Sequence, residues 1–241
     1  MGAGVFITGT DTGVGKTLIA CAVLHALAAR GGRVVGMKPV AAGATMHGAR
    51  LVNEDVTALQ AASNIAAPAE LVNPYCFEPA IAPHIAASLA GVDIELSRMR
   101  SAYAQLAGAA DYVVVEGAGG FRVPLGGDFD TADLACALQL PVVLVVGMRL
   151  GCINHAILTA AAIASTRLTF AGWVANHPGP AMAYARENVT ALQARLSAPL
   201  LAEVAYALPP DPRAIGNALE IAPLLRSIES AQRRLRRDGA D

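Results

Sequence analysis

Four residues in this chain stand where they could handle phosphate: Lys16, Lys38, Asp55 and Glu116. Lys16 lies in the stretch Gly9 to Thr17, which has the make-up of a P-loop. Gly13 and Gly15 let backbone N–H groups close on phosphate oxygens, Lys16 reaches the outer phosphates, and Thr17 offers a hydroxyl to Mg²⁺ at a helix amino terminus. The spacing is irregular, because the usual first glycine falls at Thr10 and Gly9 comes one residue early. Lys38 follows Val34-Val35-Gly36-Met37 and precedes Pro39, which keeps it out of a helix. Alone, it reads best as a surface lysine; beside a P-loop it becomes a second cation for a transferring phosphoryl group, since such catalysis is largely positioning and charge neutralisation. Glu116 ends Tyr112-Val113-Val114-Val115 and is followed by Gly117, Gly119 and Gly120, an acid placed to organise Mg²⁺ with backbone free to approach a ligand. Asp55, in Asn53-Glu54-Asp55 ahead of a short helical stretch, is by itself better read as an N-cap. Only the wider pattern promotes it to a metal ligand.

Those positions need a frame, and the apolar pattern supplies one. Short runs rich in Val and Ile, at Val5 to Ile7, Val34 to Met37, Tyr112 to Val115, Val142 to Val146, Gly172 to Ala175 and Leu200 to Val204, read as strands buried on both faces. Between them, Lys16 to Arg30, Glu95 to Ala109, Thr131 to Gln139, Asn154 to Ser165 and a segment over 181–196 have helical length and composition, with Gly31-Gly32 as a stop after the first. This alternation predicts an α/β fold: a doubly wound, mostly parallel sheet flanked by helices, of P-loop NTPase type, with residues 1–241 as a single domain. Ligands of such sheets bind beyond the carboxyl ends of the strands. The residues just after these strands are the polar and glycine-rich ones: TGTDTGVGKT, Lys38-Pro39, Glu116-Gly117-Ala118-Gly119, Gly147-Met148-Arg149 and Asn176.

Composition narrows the function classes. The formal charge is −1 and only 15% of residues are charged, so nothing marks a polyanion partner, and nucleic acid is not expected. The arginines at 233, 234, 236 and 237 read as a solvated helix end. The longest strongly apolar run, Leu140 to Met148, is far too short to span a membrane, and no export signal precedes the first strand, so a cytoplasmic protein is expected. Cys21, Cys76, Cys136 and Cys152 have no metal-ligand spacing and read as reduced thiols. His25 reads as a packed helix residue and His47 and His177 as loop residues, with no pair at metal-ligand spacing. There is no GxSxG elbow, no HExxH and no dinucleotide GxGxxG.

With these residues assembled, the chain resembles the dethiobiotin synthetase family. The resemblance rests on FITGTDTGVGKT at Phe6 to Thr17, GMKPVAAG at Gly36 to Gly43, VNPYCFEPAIAPH at Val72 to His84, VVVEGAGG at Val113 to Gly120, LPVVLVVGMRLGCINHA at Leu140 to Ala156 and GWVAN at Gly172 to Asn176. It implies that 7,8-diaminononanoate takes up CO₂ as a carbamate, that ATP phosphorylates the carbamate, and that the second amine closes the ureido ring. It further implies ATP and Mg²⁺ as cofactors, with Thr17, Asp55 and Glu116 on the metal and Lys38 and Lys16 acting at the carbamate and the transferring phosphoryl. Gly13, Val14, Gly15, Lys16 and Thr17 would wrap the phosphates with Gly117, Ala118 and Gly119 nearby, and Asn176 with Ala205, Tyr206 and Ala207 would hold the adenine. The diamine would meet Thr12, Lys38 and Pro83, and its distant carboxylate would meet Leu150, Gly151, Cys152 and Asn154 contributed by the second subunit of a homodimer. A helix amino terminus could bind that carboxylate without any arginine.

Two positions depart from the family pattern. Ala42 stands where Ser is common, losing a hydroxyl whose hydrogen bond would be worth on the order of 1 kcal/mol, and Gly13 stands where Glu is often found. The alternative within the P-loop class is a partner-switch ATPase of the partitioning or metallochaperone type. Those usually carry an extra lysine early in the loop, where this chain has Thr10, Asp11 and Thr12. An amide-forming synthetase with a glutaminase domain would need a longer chain. A binding module without chemistry leaves two rim lysines and an acid unexplained. The chain segment after about residue 208 carries no motif.

Overall fold

The computed structural model describes residues 2–180 and 182–238, with side chains described through Leu235. In chain order the elements are β1 (Ala3–Gly9), α1 (Lys16–Ala28), β2 (Val34–Met37), β3 (Val40–Ala42), β4 (Thr45–His47), β5 (Arg50–Val52), α2 (Glu54–Ala62), α3 (Ala69–Val72), β6 (Tyr75–Phe77), α4 (Pro83–Leu89) and α5 (Leu96–Ala109). There follow β7 (Tyr112–Glu116), β8 (Pro124–Gly126), β9 (Phe129–Asp130), α6 (Thr131–Leu138), β10 (Val142–Gly147), α7 (Cys152–Ala164), β11 (Phe170–Asn176), α8 (Ala185–Gln193), β12 (Leu200–Val204), α9 (Pro212–Ala218) and α10 (Ile221–Asp238).

Six strands form one sheet in the order β12-β11-β10-β1-β7-β2, and every neighbouring pair is parallel. Its strands are the apolar runs, and all but β12, where Glu203 is exposed, are almost wholly buried because helices cover both faces. Alternation along β1 sends Phe6 into one core and Ile7 into the other. The Phe6 side is packed by α5, α6, α7 and α8, and the Ile7 side by α1, α2 and α10. From β1 the chain first passes to β2 at the edge and returns to place β7 between them, then crosses to build β10, β11 and β12 on the other side. The strand order therefore reverses beside β1, and the loop Thr10 to Gly15 occupies the crevice at that reversal.

The expected helices are all present, with ends shifted by a few residues. The first stops at Ala28, where Gly31 (φ +84°) turns left-handed and Gly32 N–H returns to Leu27 O, so Gly31-Gly32 ends it. The segment read as helical from 181 begins at a residue outside the described ones, and its helix runs Ala185–Gln193. Three small strand pairs were not expected: β3 with β6, β4 with β5, and β8 with β9. His47, read as a loop residue, ends β4. Of the arginines near the carboxyl end, Arg233 pairs with Glu229 and Arg234 donates to Thr169, while the side chains at 236 and 237 lie outside the described residues. No helix among the described residues is long and apolar enough to cross a membrane.

Helix α1 is apolar almost all round because it is covered twice, by the sheet and by α9. The α9 contact depends on Gly216, where an added Cβ would lie 2.5 Å from the Ala22 carbonyl oxygen. Alanine favours a helix over glycine by about 1 kcal/mol, but overpacking against rigid backbone costs about 1–3 kcal/mol. Gly216→Ala should therefore lower the thermal midpoint; an unchanged or raised midpoint would show that α9 slides freely on α1.

Candidate active site

The phosphate loop is anchored from below. Val14 turns its side chain into the core between two strand ends, where a Cβ on Gly9 would come within 2.7 Å of one Val14 methyl and a Cβ on Gly147 within 2.7 Å of the other. This accounts for the early glycine: Gly9 supplies the close approach over Val14, and Thr10 continues the loop with its N–H bonded to Val145 O. Gly15 adopts φ +92° and faces Asn176, whose Nδ2 donates to Val14 O at 2.8 Å and would lie 2.3 Å from any Cβ at 15. Lys16 Nζ folds back to donate to Asp11 O at 2.9 Å. Burial, and then repulsion by Lys38, pull its pKa down to about 8 against the attraction of Glu116, Asp55 and Asp11.

Beside the loop, four side chains from four elements meet. Lys38, one residue past β2 and 5% exposed, donates to Glu116 Oε1 at 2.5 Å and to Asp55 Oδ2 at 2.8 Å. The Thr17 hydroxyl lies 2.7 Å from Asp55 Oδ1 and 2.9 Å from Glu116 Oε1. Burial works hardest on Lys38 and pulls its pKa down, but the charges of Glu116 and Asp55 and the hydrogen bonds to them outweigh it and hold the ammonium above its ordinary value. Asp55, though also opposed by burial, is held below the usual carboxylate range by Lys38 and Thr17. Glu116 is 1% exposed, and burial, reinforced by Asp55, keeps its carboxyl above that range against the pull of Lys38.

One atom of this cluster has no partner: Glu116 Oε2 is buried and unbonded. A carboxylate oxygen left so costs several kcal/mol unless a cation meets it. Among the described residues no three His, Cys, Asp or Glu side chains gather as a metal cluster. Two carboxylates and a hydroxyl nonetheless fit Mg²⁺, which is typically held by one or two carboxylates together with phosphate oxygens and water. Asp55 is not an N-cap. Asn53 caps α2, its Oδ1 accepting from Asp55 N and Val56 N while its Nδ2 donates to Ala42 O.

Two cavities flank the loop and share Gly13 and Gly15 as walls. The larger, about 820 Å³, is lined by Thr12, Lys16, Thr17, Lys38, Asp55, Glu116, Ala118 and Gly119, with Val40, Ala42, Ile81 and Pro83 adding an apolar side. The other, about 560 Å³ and mostly apolar, is lined by Asn176 and Ala205, Tyr206 and Ala207 among others. Gly117 lines neither: its N–H bonds to Ile7 O, and a Cβ there would lie 3.0 Å from the Phe6 ring. Val14 also lines neither, its side chain being buried under the loop. Leu150, Gly151, Cys152 and Asn154 also line neither cavity within one chain. They form the amino end of α7, with Leu150 95% exposed and Gly151 left-handed, while Arg149 just before them pairs with Asp11 of the phosphate loop. Cys152 is buried, and burial pushes its thiol pKa up, away from nucleophile behaviour.

Sequence reasoning missed part of the smaller cavity. The segment after 208 contributes to it, because Pro210, Asp211, Ala214, Ile215 and Ala218 line that wall. The signal was present in Asp211-Pro212, an N-cap followed by proline at the first helical position, and Asp211 Oδ1 accepts from Arg213 N and Ala214 N. His177 was read only as a loop residue, yet it borders the cavity with Nε2 3.2 Å from Glu203 Oε1.

Comparison with known proteins separates fold from family. A septum site-determining protein MinD complexed with Mg-ADP, from Pyrococcus horikoshii, aligns with a TM-score of 0.55 at 16% identity over 93% of this chain and 98% of that one. A ParA family ATPase from Chlorobium tepidum aligns at 0.54 and 13% identity over 92% of each. At that identity these two establish the P-loop NTPase fold and nothing more. A family model described as an AAA domain matches residues 3–212. The ATP-dependent dethiobiotin synthetase BioD of Aromatoleum aromaticum is 52% identical over 216 residues, 90% of this chain and 96% of that protein. Its namesake from Nitrosospira multiformis is 54% identical over 222 residues, 92% and 96% of the two chains. Identity at that level over nearly the whole length of both relatives means that the chain belongs to the dethiobiotin synthetase family.

Proposed function

We propose that this chain is an ATP- and Mg²⁺-dependent enzyme of biotin synthesis, a carbon–nitrogen cyclo-ligase working as a single P-loop α/β domain in a cytoplasmic homodimer. The observation that carries this reading is the buried Lys38 between Glu116 and Asp55, facing the phosphate loop across a cleft with one apolar side. A switch ATPase needs a loop and a metal site; it has no use for an aliphatic slot opening on a second buried ammonium.

One amine of 7,8-diaminononanoate adds to CO₂ and gives a carbamate. A carbamate oxygen then attacks the γ-phosphorus of ATP as ADP leaves, and the second amine attacks the carbonyl carbon, expelling phosphate and closing dethiobiotin's ring. Carbamate and γ-phosphate are both anions, so their approach needs cations between them. Lys16 serves the phosphate side and Lys38 the carbamate and the transferring group. Thr17, Asp55 and Glu116 would hold Mg²⁺, which supplies charge neutralisation across the phosphates. The loop amides from Gly13 to Thr17 receive phosphate oxygens, with Ala118 and Gly119 opposite. The 560 Å³ cavity takes the adenine against Asn176 and Ala205 to Ala207. Thr12, Pro83 and the Ile81 side of the cleft receive the diamine, while Gly151 to Asn154 of a second copy receive its carboxylate. The exposure of Leu150 and the absence of that segment from the cleft of its own chain support a shared site. A polyanion or membrane partner has no part in this reading.

Phosphate release from ATP with Mg²⁺ and bicarbonate should require the diamine and run with the dimer on size-exclusion chromatography. Equal release without the diamine would favour a switch ATPase, and full activity in a monomer would remove the shared site. Lys38→Ala should lower kcat at least about a hundredfold, as loss of a charge aimed at the transition state does. Because it strips the partner from buried Glu116, it should also cost about 3–5 kcal/mol of stability without Mg²⁺; near-normal turnover would defeat the proposed role.

ATP affinity should also depend on pH. Free Lys16 loses its proton near pH 8, whereas phosphate binding requires the ammonium, so binding above that pH must take up a proton. Affinity by titration calorimetry should be flat below about pH 7.5 and weaken by up to about tenfold per unit above pH 8. Constant affinity from neutral to alkaline pH would mean that Lys16 keeps its proton throughout.

A further inference from the structure

We propose that Asn73 is a positioning residue for the reaction, holding the Lys38 peptide, and through it Lys38 Nζ, with the two hydrogens of its side-chain amide. This rests on the role given to Lys38 above.

Lys38 lies just past an edge strand whose only neighbour among the described residues is β7, and Pro39 follows, so the sheet offers its peptide no ladder partner there. The end of α3 takes over. Lys38 N–H donates to Val72 O at 2.8 Å, and Asn73 Nδ2 donates to Lys38 O at 2.6 Å. The same nitrogen donates to Tyr75 O at 2.8 Å, which uses its second hydrogen. Tyr75 N–H in turn bonds to Pro39 O at 3.2 Å, closing the clamp on the next residue. Only a primary amide at this reach donates twice; a carboxylate only accepts, and a hydroxyl donates once. The placement matters because a lysine head sits on a flexible four-carbon stem. In the free protein Asp55 and Glu116 hold its tip. Once substrate anions draw Nζ towards the transferring group, those bonds lengthen and the backbone clamp at its base is what still limits where the ammonium reaches. The clamp gives Asn73 a task within the block Val72 to His84.

The test compares wild type, Asn73→Asp, Asn73→Ala and Lys38→Ala in diamine-dependent phosphate release, with calorimetric ATP binding and thermal midpoints alongside. Both Asn73 variants should lose at least tenfold in kcat while ATP affinity stays within twofold, because the phosphate loop does not touch this clamp. Three results would overturn the proposal: kcat within twofold of wild type, equal loss of kcat and ATP affinity, or failure of both variants to fold, which would assign Asn73 to the fold alone. Activity persisting in Lys38→Ala would instead reject the functional reading itself. Loss in Lys38→Ala beside normal Asn73 variants rejects the positioning role only.

Discussion

A lysine ammonium removed from water is stable only if carboxylates replace its hydration, and the site is organised around that requirement. Lys38 is buried at the edge of the sheet and keeps its charge because Glu116 and Asp55 meet it. Glu116 is available because β7 lies between β1 and β2, ending level with the phosphate loop. Asp55 is available because Asn53 caps α2 and sets its first turn facing the cleft. Each partner of the ammonium is thus set by a different element, and the doubly wound sheet brings the three to one rim.

The same arrangement explains why the charges survive burial. Two carboxylates, two ammonium groups and a hydroxyl come close to neutrality as a set, with Glu116 Oε2 left over. A metal ion would offset only about half the charge of a triphosphate, which leaves the two ammonium groups and the loop amides to meet the rest. Replacing any one of the charged members alone would leave a neighbour with an unmatched charge in a low-dielectric setting.

Legibility from sequence followed the range of the interactions. Strands such as Val34 to Met37 and Val142 to Val146 were readable because burial on both faces leaves unbroken apolar runs. The β4–β5 hairpin was not, since its residues are largely exposed and carry no alternation. Lys16, Lys38 and Glu116 were readable as rim residues from type and from position near strand ends, whereas Asp55 by itself read as an N-cap. The pairing was not readable, because Lys38 and Glu116 are 78 residues apart and only the strand order brings them together. The wall built by α9 was missed because attention to catalytic motifs passes over Ala and Ile, although Asp211-Pro212 announced the helix.

Val14 gives the phosphate loop a limit that its motif does not express. Its side chain is wedged where Gly9 ends one strand and Gly147 ends another, so neither strand end tolerates a larger residue while Val14 is present. The nine residues Gly9 to Thr17 are consequently not a portable cassette. Grafted into another α/β sheet, they would seat only where the adjacent strand also ends in glycine, and a loop search restricted to one stretch of sequence overlooks that distant partner.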